Sequence, residues 1–461
     1  MRLNAPYEPI KVAVVGHSNA GKTSLIRTLL RDDQFGDIDE AAGTTRYVEK
    51  SAILSADKEV LDLFDTPGFE DSSALLQALQ ALSKTLDIGS SADLIRAFIE
   101  RAADYPDFEQ EIKVLRQSLV SSVLLYIIDV REPLLGKYSD EVEILSMADK
   151  PILPVFNFIA GHDDTLMRWR QQMAKFNLHA ALEFDTVAFE FEAEKRLYQK
   201  LQSLLEQHYD VLQALIDYRQ EVWYNINHAA ARRIFQLIVV VSCYRREVSS
   251  KGGHSNTDVA SMQDFVRDAE QRALQDLLTI FSFTQLDVDI QQLPVRDGEW
   301  ELDLFSPAML KDFGLNAGAT ALKGAAAGAG IDLMVGGMSL GAASMLGAAI
   351  GAGWATARRY QQELKAVLRG HSWLCVDDDT VSLLFLRNRK LLHSLTQRGH
   401  AAQNKLHVIN DVQKKLPGRW FAVLKILRHH PEWQQLSSSD QDYTQLQDEV
   451  TGWLLSEDGS A

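Results

Sequence analysis

Short apolar runs alternate with amphipathic segments over the first part of the chain. Val12–Val15, "VLLYIIDV" beginning at Val123 and "PILPVFNF" beginning at Pro151 have the length and composition of buried strands. "TSLIRTLL", beginning at Thr23, has the apolar spacing of an amphipathic helix. Buried strands separated by helices predict an α/β domain with a mostly parallel sheet flanked by helices. We assign this domain to residues 1–195.

Residues 71–120 interrupt this alternation with a purely helical pattern. "SALLQALQALSKTL" and "ADLIRAFIERAA" both repeat apolar residues at spacings of three and four. The segment therefore predicts a helical insertion between two core strands. Two roles are open for it: it transmits the state of the domain to a partner, or it is a lid packed on the domain.

The remainder of the chain predicts a helical region and an α+β domain. A long amphipathic tract from Glu192 to about Arg246 favours a linking and bracing region at 196–285. Residues 286–461 then form a mainly helical α+β domain with two strand pairs. "LDVDIQQL" and "EWELDLF" would be joined through Asp297-Gly298, a dipeptide that suits a hairpin turn. "WLCV" and "TVSLLFLRN" would pair across the aspartates at 377–379.

Residues 314–357 form a glycine-rich segment inside this last domain. Leu333–Ala357 contains no charged residue, and as a helix it would span about 37 Å, which exceeds a bilayer core of ~30 Å. Three interpretations are open: insertion into or attachment to a membrane or membrane protein, a buried helical hairpin, or a flexible segment. In the hairpin, "GATALKGAAAGAGI" would be the other arm, with the turn near Asp332. Its weak hydrophobicity, together with Lys323 and Asp332, argues against insertion.

Charge and cysteine content narrow the function classes. The 461 residues include 47 basic and 63 acidic side chains, so the net charge of −16 disfavours non-specific binding to RNA or the ribosome. Two separated cysteines favour a reducing compartment and exclude a disulfide framework. The N-terminus has no apolar stretch typical of a secretory signal. We expect a cytoplasmic protein, and the membrane interpretation of the glycine-rich segment adds association with the inner membrane as an open alternative.

"GHSNAGKTS" follows the first strand and opens the first helix, as a phosphate-binding loop requires. Glycines allow backbone N–H groups to face a phosphate, the lysine reaches the β and γ phosphates, and the threonine hydroxyl binds Mg²⁺. The predicted nucleotide-binding residues are Gly16, His17, Ser18, Asn19, Ala20, Gly21, Lys22, Thr23 and Ser24.

A second metal-binding carboxylate and a γ-phosphate sensor follow in "VLDLFDTPG". Asp65 ends a strand and is the predicted carboxylate. Gly68 lies where its backbone N–H contacts a γ phosphate and loses that contact on hydrolysis. Between the two motifs, Thr45 in "AAGTTRY" is positioned to close over Mg²⁺. We therefore expect Thr23, Thr45 and Asp65 at the metal and Lys22, Thr45 and Gly68 in catalysis.

Together Gly16–Ser24, Gly43–Arg46 and Asp65–Gly68 resemble the Era- and TrmE-like branch of the translation-factor-related GTPases. The domain order resembles a bacterial family that joins such a GTPase to a C-terminal domain of unknown function. The resemblance implies binding of GTP and Mg²⁺ and hydrolysis to GDP and phosphate. Asn19 corresponds to an asparagine that holds K⁺ beside the phosphates in some relatives. The resemblance therefore leaves two roles open for Asn19: it binds K⁺, or it only stabilises the loop.

Three functions remain open at this point. The leading one is a Mg²⁺-dependent GTPase switch with a low intrinsic rate, whose C-terminal region engages a membrane or protein partner. The second, by analogy with the family, is a GTPase that assists tRNA modification or ribosome assembly. The third is a nucleotide-binding scaffold with little hydrolysis, because Phe69 and Glu70 follow Gly68 in place of a glutamine or histidine. The sequence does not determine the oligomeric state.

The base-reading sequence departs from the resembled family. That family reads guanine with Asn-Lys-x-Asp, whereas here Asn157 is followed by Phe158 and, at the aspartate position, Ala160. A buried site that loses one hydrogen-bonding group loses several kcal/mol of discrimination. GTP is favoured over ATP by the resemblance, with Asp163 or Asp164 as a substitute for the missing carboxylate.

Overall fold

The computed structural model describes residues 8–31, 48–56, 58–87, 89–185, 191–249, 256–281, 295–296, 299–300, 303–305, 331–334, 371–396, 416–435 and 440–456. By its internal contacts the chain divides into two compact units. The N-terminal unit comprises Met1–Tyr224 and Thr396–Leu406, and the C-terminal unit comprises Asn225–Leu395 and His407–Ala461. The boundaries predicted at 195 and 285 stay predictions.

The N-terminal unit alternates strands and helices. Its elements are β1 (Ile10–Gly16), α1 (Lys22–Leu30), β2 (Glu49–Ser55), β3 (Lys58–Asp65), α2 (Ser72–Ser83), α3 (Ser91–Glu100), α4 (Glu109–Val120), β4 (Val123–Asp129), α5 (Gly136–Ser146), β5 (Ile152–Asn157), α6 (Asp163–Lys175), β6 (Leu182–Glu183) and α7 (Phe191–Leu204). The next helix, α8 (Tyr209–Ser242), begins in this unit and ends in the C-terminal one.

The six strands form one sheet in the order β2-β3-β1-β4-β5-β6. β2 is antiparallel to β3, and the other neighbours are parallel. β1 and β4 are buried almost throughout, because helices cover both faces of the sheet. The predicted α/β fold, with its mostly parallel sheet flanked by helices, is confirmed. Because β1, β3, β4 and β5 run in the same direction, their carboxyl ends meet at one edge.

The segment 71–120 is helical, as predicted, and forms α2, α3 and α4. Side chains on one face of each helix, including Leu75, Leu79, Phe98 and Leu115, join the core beside β1 and β4. Asp71 caps α2 by accepting a hydrogen bond from the backbone N–H of Ala74 at 2.9 Å. The insertion is therefore packed on the sheet through an extensive apolar face.

The described part of the C-terminal unit is mainly helical. Beyond the second half of α8 it contains β7 (Arg246–Ser249), α9 (Asn256–Ile280), β8 (Val295–Arg296), β9 (Glu299–Trp300), β10 (Ile331–Met334), β11 (His371–Val376), α10 (Asp378–Thr396), α11 (Trp420–His429) and α12 (Gln441–Leu455). β8 and β9 pair antiparallel on either side of residues 297–298, which agrees with the predicted turn position. The predicted first strand, residues 286–293, lies outside the described residues, and the observed strand is Val295–Arg296. β10, β11 and β7 form a second antiparallel sheet.

The predicted pairing of "WLCV" with "TVSLLFLRN" is wrong. The first segment lies in β11, but Thr380–Asn388 lies within the helix α10. Asp377 accepts hydrogen bonds from the backbone N–H and the hydroxyl of Thr380, both at 2.8 Å, and so begins the helix instead of a turn. The segment is buried on nearly all sides, and such an apolar run has no periodicity that separates a strand from a helix.

The glycine-rich segment falls mostly outside the described residues. A turn near Asp332 is wrong, because Asp332 lies in β10 and pairs with Cys375 of β11. No helix in the described part of the chain is long and apolar enough to cross a membrane. Cys243 and Cys375 are both buried, and burial raises the pKa of the Cys243 thiol to about 12.

Candidate nucleotide site

The carboxyl edge of the sheet brings the two best-defined motifs together. Val14 of β1 is in register with Asp65 of β3, and Asp129 of β4 is in register with Asn157 of β5. The loop from His17 to Gly21 connects β1 to α1 at this edge. Sequence segments far apart along the chain thus meet around a single loop.

The loop takes a conformation that its residues favour. Asn19 has φ 62° and Gly21 has φ 93°, both in the left-handed region that asparagine and glycine adopt at the lowest cost. A Cβ atom on Gly21 would lie 2.2 Å from Nδ2 of Asn157, so glycine is also required by space. α1 begins at the next residue, and its N-terminus therefore points its free N–H groups and positive dipole at the loop.

Lys22 is folded into the loop. It is 6% exposed, and its Nζ donates hydrogen bonds to the carbonyl oxygens of Gly16 at 3.3 Å and His17 at 2.8 Å. Burial lowers the pKa of Lys22, and the nearby carboxylates of Asp65 and Glu141 oppose that shift. The ammonium group thus lies beneath the loop, where a bound anion would stabilise its charge.

Thr23 and Asp65 meet as a magnesium site requires. The Thr23 hydroxyl donates to Oδ2 of Asp65 at 2.6 Å. Oδ1 of Asp65 is buried without a hydrogen-bond partner among the described residues, and burial raises the pKa of this carboxyl to about 6. A buried carboxylate oxygen without a partner is costly, and a cation would stabilise it. The two donors therefore fit Mg²⁺, which prefers oxygen ligands.

Gly68 lies directly against the loop. A Cβ atom at Gly68 would come within 2.6 Å of the N, Cα and Oγ atoms of Ser18, so only glycine fits there. The next residue, Phe69, donates its backbone N–H to the carbonyl of Gly16 at 3.3 Å. Thr66 anchors the preceding turn by donating its hydroxyl to the carbonyl of Val14 at 2.8 Å. The predicted sensor is thus brought to the predicted phosphate loop.

Asn157 braces the loop from the other side. It is fully buried, donates from Nδ2 to the carbonyl of Ala20 at 3.1 Å, and accepts the backbone N–H of Phe158 at 2.9 Å. Phe158 has φ 56°, and the guanidinium of Arg131 lies 3.8 Å from the centre of its ring. Arg131 is held in turn by both carboxylate oxygens of Asp129. An aromatic ring and an arginine thus lie where the resembled family has a lysine.

Four predicted site residues or candidates, Ser24, Asp163, Asp164 and Thr45, are not among the contacts described above. Ser24 lies within α1, where its carbonyl accepts the Thr28 hydroxyl at 2.9 Å. Asp163 and Asp164 are exposed in the first turn of α6. Thr45, with the rest of Gly43–Arg46, lies outside the described residues.

The sequence analysis missed a buried network behind His17. Nδ1 of His17 lies 3.0 Å from Oε1 of Glu141, and Nε2 lies 2.8 Å from the Lys137 ammonium. Because lysine can only donate, Nε2 accepts and Nδ1 donates to Glu141. Glu141 is fully buried and also accepts the Tyr126 hydroxyl at 2.8 Å. A glutamate on the apolar stripe of α5, at spacings of three and four from Tyr138 and Leu145, was the available signal.

A cavity of about 250 Å³ lies between this network and the loop. Its lining includes His17, Asn19, Asp129, Lys137 and Tyr138. In the part of the chain that the structure describes, no group of three or more histidine, cysteine or acidic side chains forms a metal cluster. The geometry is therefore that of a phosphate loop with one threonine–carboxylate pair beside it.

Comparison with known proteins matches two parts of the chain to two families. Residues 11–158 match the family described as 50S ribosome-binding GTPase, and residues 170–453 match the family described as domain of unknown function DUF3482. The chain is 30% identical over 187 residues to the GTPase Der of Nautilia profundicola, covering 40% of this chain and 38% of that protein. It is also 30% identical over 149 residues to the tRNA modification GTPase MnmE of Lachnoclostridium phytofermentans, covering 32% of this chain and 31% of that protein.

The chain therefore spans about a third of the length of these curated relatives. Among solved structures, Era in complex with MgGDPNP and a fragment of 16S ribosomal RNA aligns with 20% identity and a TM-score of 0.29, over 39% of this chain and 52% of that one. The N-terminal region is a P-loop GTPase domain. The match to DUF3482, over residues 170–453, covers more than half of the chain. The protein belongs to the DUF3482 family, with its DUF3482 region following an N-terminal P-loop GTPase domain.

Proposed function

We propose that this protein binds GTP with Mg²⁺ and hydrolyses it to GDP and phosphate, as a molecular switch that controls a membrane or protein partner through its C-terminal region. The observation that carries the proposal is the pair of Thr23 and Asp65, 2.6 Å apart, with the second carboxylate oxygen of Asp65 buried and without a partner among the described residues. A phosphate loop without a metal-binding carboxylate would indicate only anion binding.

Each residue at the loop has a distinct task in this proposal. The backbone N–H groups of the loop and the N-terminus of α1 bind the phosphates. The attraction between the Lys22 ammonium and the γ phosphate grows as negative charge develops there in the transition state. Thr23, Asp65 and Thr45 would hold Mg²⁺. When bound, Mg²⁺ neutralises the phosphate oxygens. Gly68 contributes a backbone N–H that distinguishes triphosphate from diphosphate.

Hydrolysis and its metal dependence test this proposal directly. Wild-type protein should release phosphate from GTP only with Mg²⁺, and Asp65→Asn should raise the Mg²⁺ concentration needed for half-maximal turnover by at least about tenfold, because a neutral amide is a weaker ligand. Glu59→Gln, an exposed change on the same strand, is the matched control. Turnover that does not depend on Mg²⁺ would reject the metal assignment.

The ratio of GTP affinity to ATP affinity should be small for a guanine-binding site. Asn157 braces the loop, but Phe158 and Ala160 lack the groups that read the base in the resembled family. We expect GTP to bind more tightly than ATP by less than the ~10⁴-fold that a fully hydrogen-bonded site achieves. A competition titration measures this margin, and equal or tighter binding of ATP would reject the guanine assignment.

Two alternatives have their own support. Assistance of tRNA modification or ribosome assembly is supported by the match to the 50S ribosome-binding GTPase family, although the charge of −16 opposes it. A scaffold with little hydrolysis is supported by Phe69, which follows Gly68 and is fully buried, where an exposed polar side chain could orient water. Ribosome co-sedimentation, flotation with membranes and turnover measurement distinguish the three functions.

A further inference from the structure

The backbone that follows Gly68 is held at both ends by hydrogen bonds. Phe69 donates its N–H to the carbonyl of Gly16 in the phosphate loop at 3.3 Å. Glu70 and Asp71 donate their N–H groups to the same oxygen, Oε1 of Glu111, at 3.0 and 3.2 Å. Glu111 belongs to α4 of the helical insertion. The insertion therefore bonds directly to residues 68–71, which we call the Gly68 segment.

Glu111 is buried in a way that makes these two bonds necessary. It is 2% exposed, and no lysine or arginine forms an ion pair with it among the described residues. Removing a carboxylate from water costs several kcal/mol unless hydrogen bonds replace the lost hydration. A carboxylate is a charged acceptor, so a hydrogen bond from a backbone N–H to it is stronger than one between neutral groups. The two N–H groups of the Gly68 segment thus stabilise Glu111, and Glu111 fixes them in return.

The position of Glu111 on its helix supports a specific role. It lies on the buried stripe of α4 with Val114, Leu115 and Ser118, where an apolar residue would pack at no electrostatic cost. Its helix packs in the core cluster that contains Phe69. An apolar side chain at 111 would fill the space but would leave both N–H groups without this acceptor. The carboxylate therefore serves the Gly68 segment and not the packing alone.

Further contacts make the Gly68 segment a rigid start for α2. The side chain of Asp71 caps that helix, and the Ser72 hydroxyl donates to the carbonyl of Lys137 at 2.8 Å. Lys137 in turn contacts His17 of the phosphate loop. Moving residues 70–71 would thus disturb the bonds to Glu111 and the beginning of α2 together.

We propose that Glu111 is a positioning residue that holds the Gly68 segment in place before nucleotide arrives. This inference rests on the proposed function, in which the Gly68 N–H contacts the γ phosphate. A segment that is already ordered loses less conformational entropy when triphosphate binds, so affinity for the triphosphate rises. GDP has no γ phosphate and gains nothing from this order. Glu111 therefore sets the ratio of triphosphate to diphosphate affinity.

The test compares variants that separate reach from charge. Glu111→Ala removes the acceptor, Glu111→Asp keeps the charge but withdraws it by one methylene, and Glu111→Gln keeps an oxygen at the same reach. Glu109→Ala, an exposed change on the same helix, is the control. Two quantities are measured in each: hydrogen exchange of the residue 70 and 71 amides without nucleotide, and the affinities for GDP and a non-hydrolysable GTP analogue with Mg²⁺.

In the alanine and aspartate variants we expect the two amides to exchange at least about tenfold faster. The ratio of analogue to GDP affinity should fall about tenfold, mainly through the analogue. The glutamine and control variants should stay within about threefold of wild type. If the alanine variant does not fold by circular dichroism, the aspartate and glutamine variants carry the test.

Wild-type exchange and an unchanged affinity ratio in a folded alanine or aspartate variant would overturn the proposal. A glutamine variant as altered as the alanine variant in both amide exchange and affinity ratio would also overturn it, because an acceptor oxygen at the same reach would then not hold the segment. A wild-type protein that binds neither nucleotide would reject the proposed function itself, and the exchange data would still report whether Glu111 holds the segment.

Discussion

The two units bury charged side chains for different purposes. In the N-terminal unit the charged side chains of Lys22 and Asp65 lie at one loop, and each contacts the loop or the helix that follows it. In the C-terminal unit Glu270 on α9 lies 3.4 Å from Arg387 on α10, whose guanidinium stacks 3.6 Å from the Trp300 ring. The first set leaves a carboxylate oxygen for a cation, whereas the second is surrounded by protein side chains.

This difference teaches where a buried charge indicates a ligand. Around the loop the charges lie at the carboxyl edge of a parallel sheet, where ligands bind in such folds. On α10 the neighbouring Arg389 donates to the carbonyl of Ser456 at 2.8 Å, and Asn388 donates to the carbonyl of Leu384 at 3.0 Å. Changes at the loop should therefore alter nucleotide binding, and changes around α10 should alter folding. Four predictions test this contrast.

Removing the aromatic core of the C-terminal unit should have the largest effect. Trp420 is fully buried, packs against Phe385 with ring centres 4.4 Å apart, and donates to the Ser382 hydroxyl at 2.8 Å. Trp420→Ala should lower the free energy of unfolding by about 3–5 kcal/mol through the cavity it leaves. Urea denaturation followed by circular dichroism measures this, with Phe421→Ala, an exposed neighbour, as the control. A simultaneous loss of nucleotide affinity in the folded variant would contradict the contrast.

Glu270 should make the stability of the C-terminal unit depend on pH. Burial raises its pKa from 4.5 to about 7, against the opposing effects of Arg387 and Asn388. Between these values the folded protein keeps a proton that the unfolded chain has released. The protonated Glu270 carboxyl therefore makes its full contribution to the free energy of unfolding below pH 4.5. That contribution, about 3 kcal/mol, is lost as the pH rises through 7.

Glu270→Gln removes this titration. The unfolding free energy of the wild type should therefore fall relative to that of the variant as the pH rises. Urea denaturation at pH 5 and pH 8 measures it. A difference that is the same at both values would show that Glu270 does not titrate as inferred.

Lys22→Ala should weaken GTP binding by about 100-fold, or ~2.7 kcal/mol, because a buried ammonium that meets the phosphates is lost. The free energy of unfolding should change by less than about 1 kcal/mol, since the loop carbonyls that it contacts regain water. Calorimetry with Mg²⁺ measures the affinity, and Lys11→Ala on the preceding strand is the control. Unchanged affinity would remove Lys22 from the site.

The smallest predicted effect is an ion preference. If Asn19 holds K⁺ beside the phosphates, turnover should be about tenfold faster in KCl than in NaCl, because the ion neutralises developing charge. Asn19→Gly keeps the left-handed backbone at φ 62° and should abolish the difference. Equal turnover in both salts, with measurable hydrolysis, would leave Asn19 as a structural loop residue.

The sequence predicted those parts of the fold in which a motif and its periodicity agreed. β1, β3 and β5 end at motif residues, and their apolar runs are short, so strand and loop could both be inferred. α10 failed for the opposite reason: its buried arginines and continuous apolar run obscure the helical period, and its aspartates resemble a turn.

The sequence also could not show which distant residues support the site. Glu111 and Glu141 lie on the buried stripes of α4 and α5, but a stripe does not reveal what a buried carboxylate will contact. Glu111 meets amides about 40 positions earlier, and Glu141 meets a histidine 124 positions earlier. Those contacts depend on how the insertion and α5 pack against the sheet. The sequence showed a charged residue on an apolar helix face, but it did not show the group that this residue contacts.

The contact between Gly21 and Asn157 limits how this protein can drift in evolution. A side chain at Gly21 would collide with Nδ2 of Asn157, and the φ of 93° would strain it even if Asn157 became smaller. No single compensating change at 157 therefore frees the loop glycine. Phe158 approaches the same position, with its Cζ 3.4 Å from where the Cβ of that side chain would lie, so two consecutive side chains at the end of β5 close the space beside Gly21.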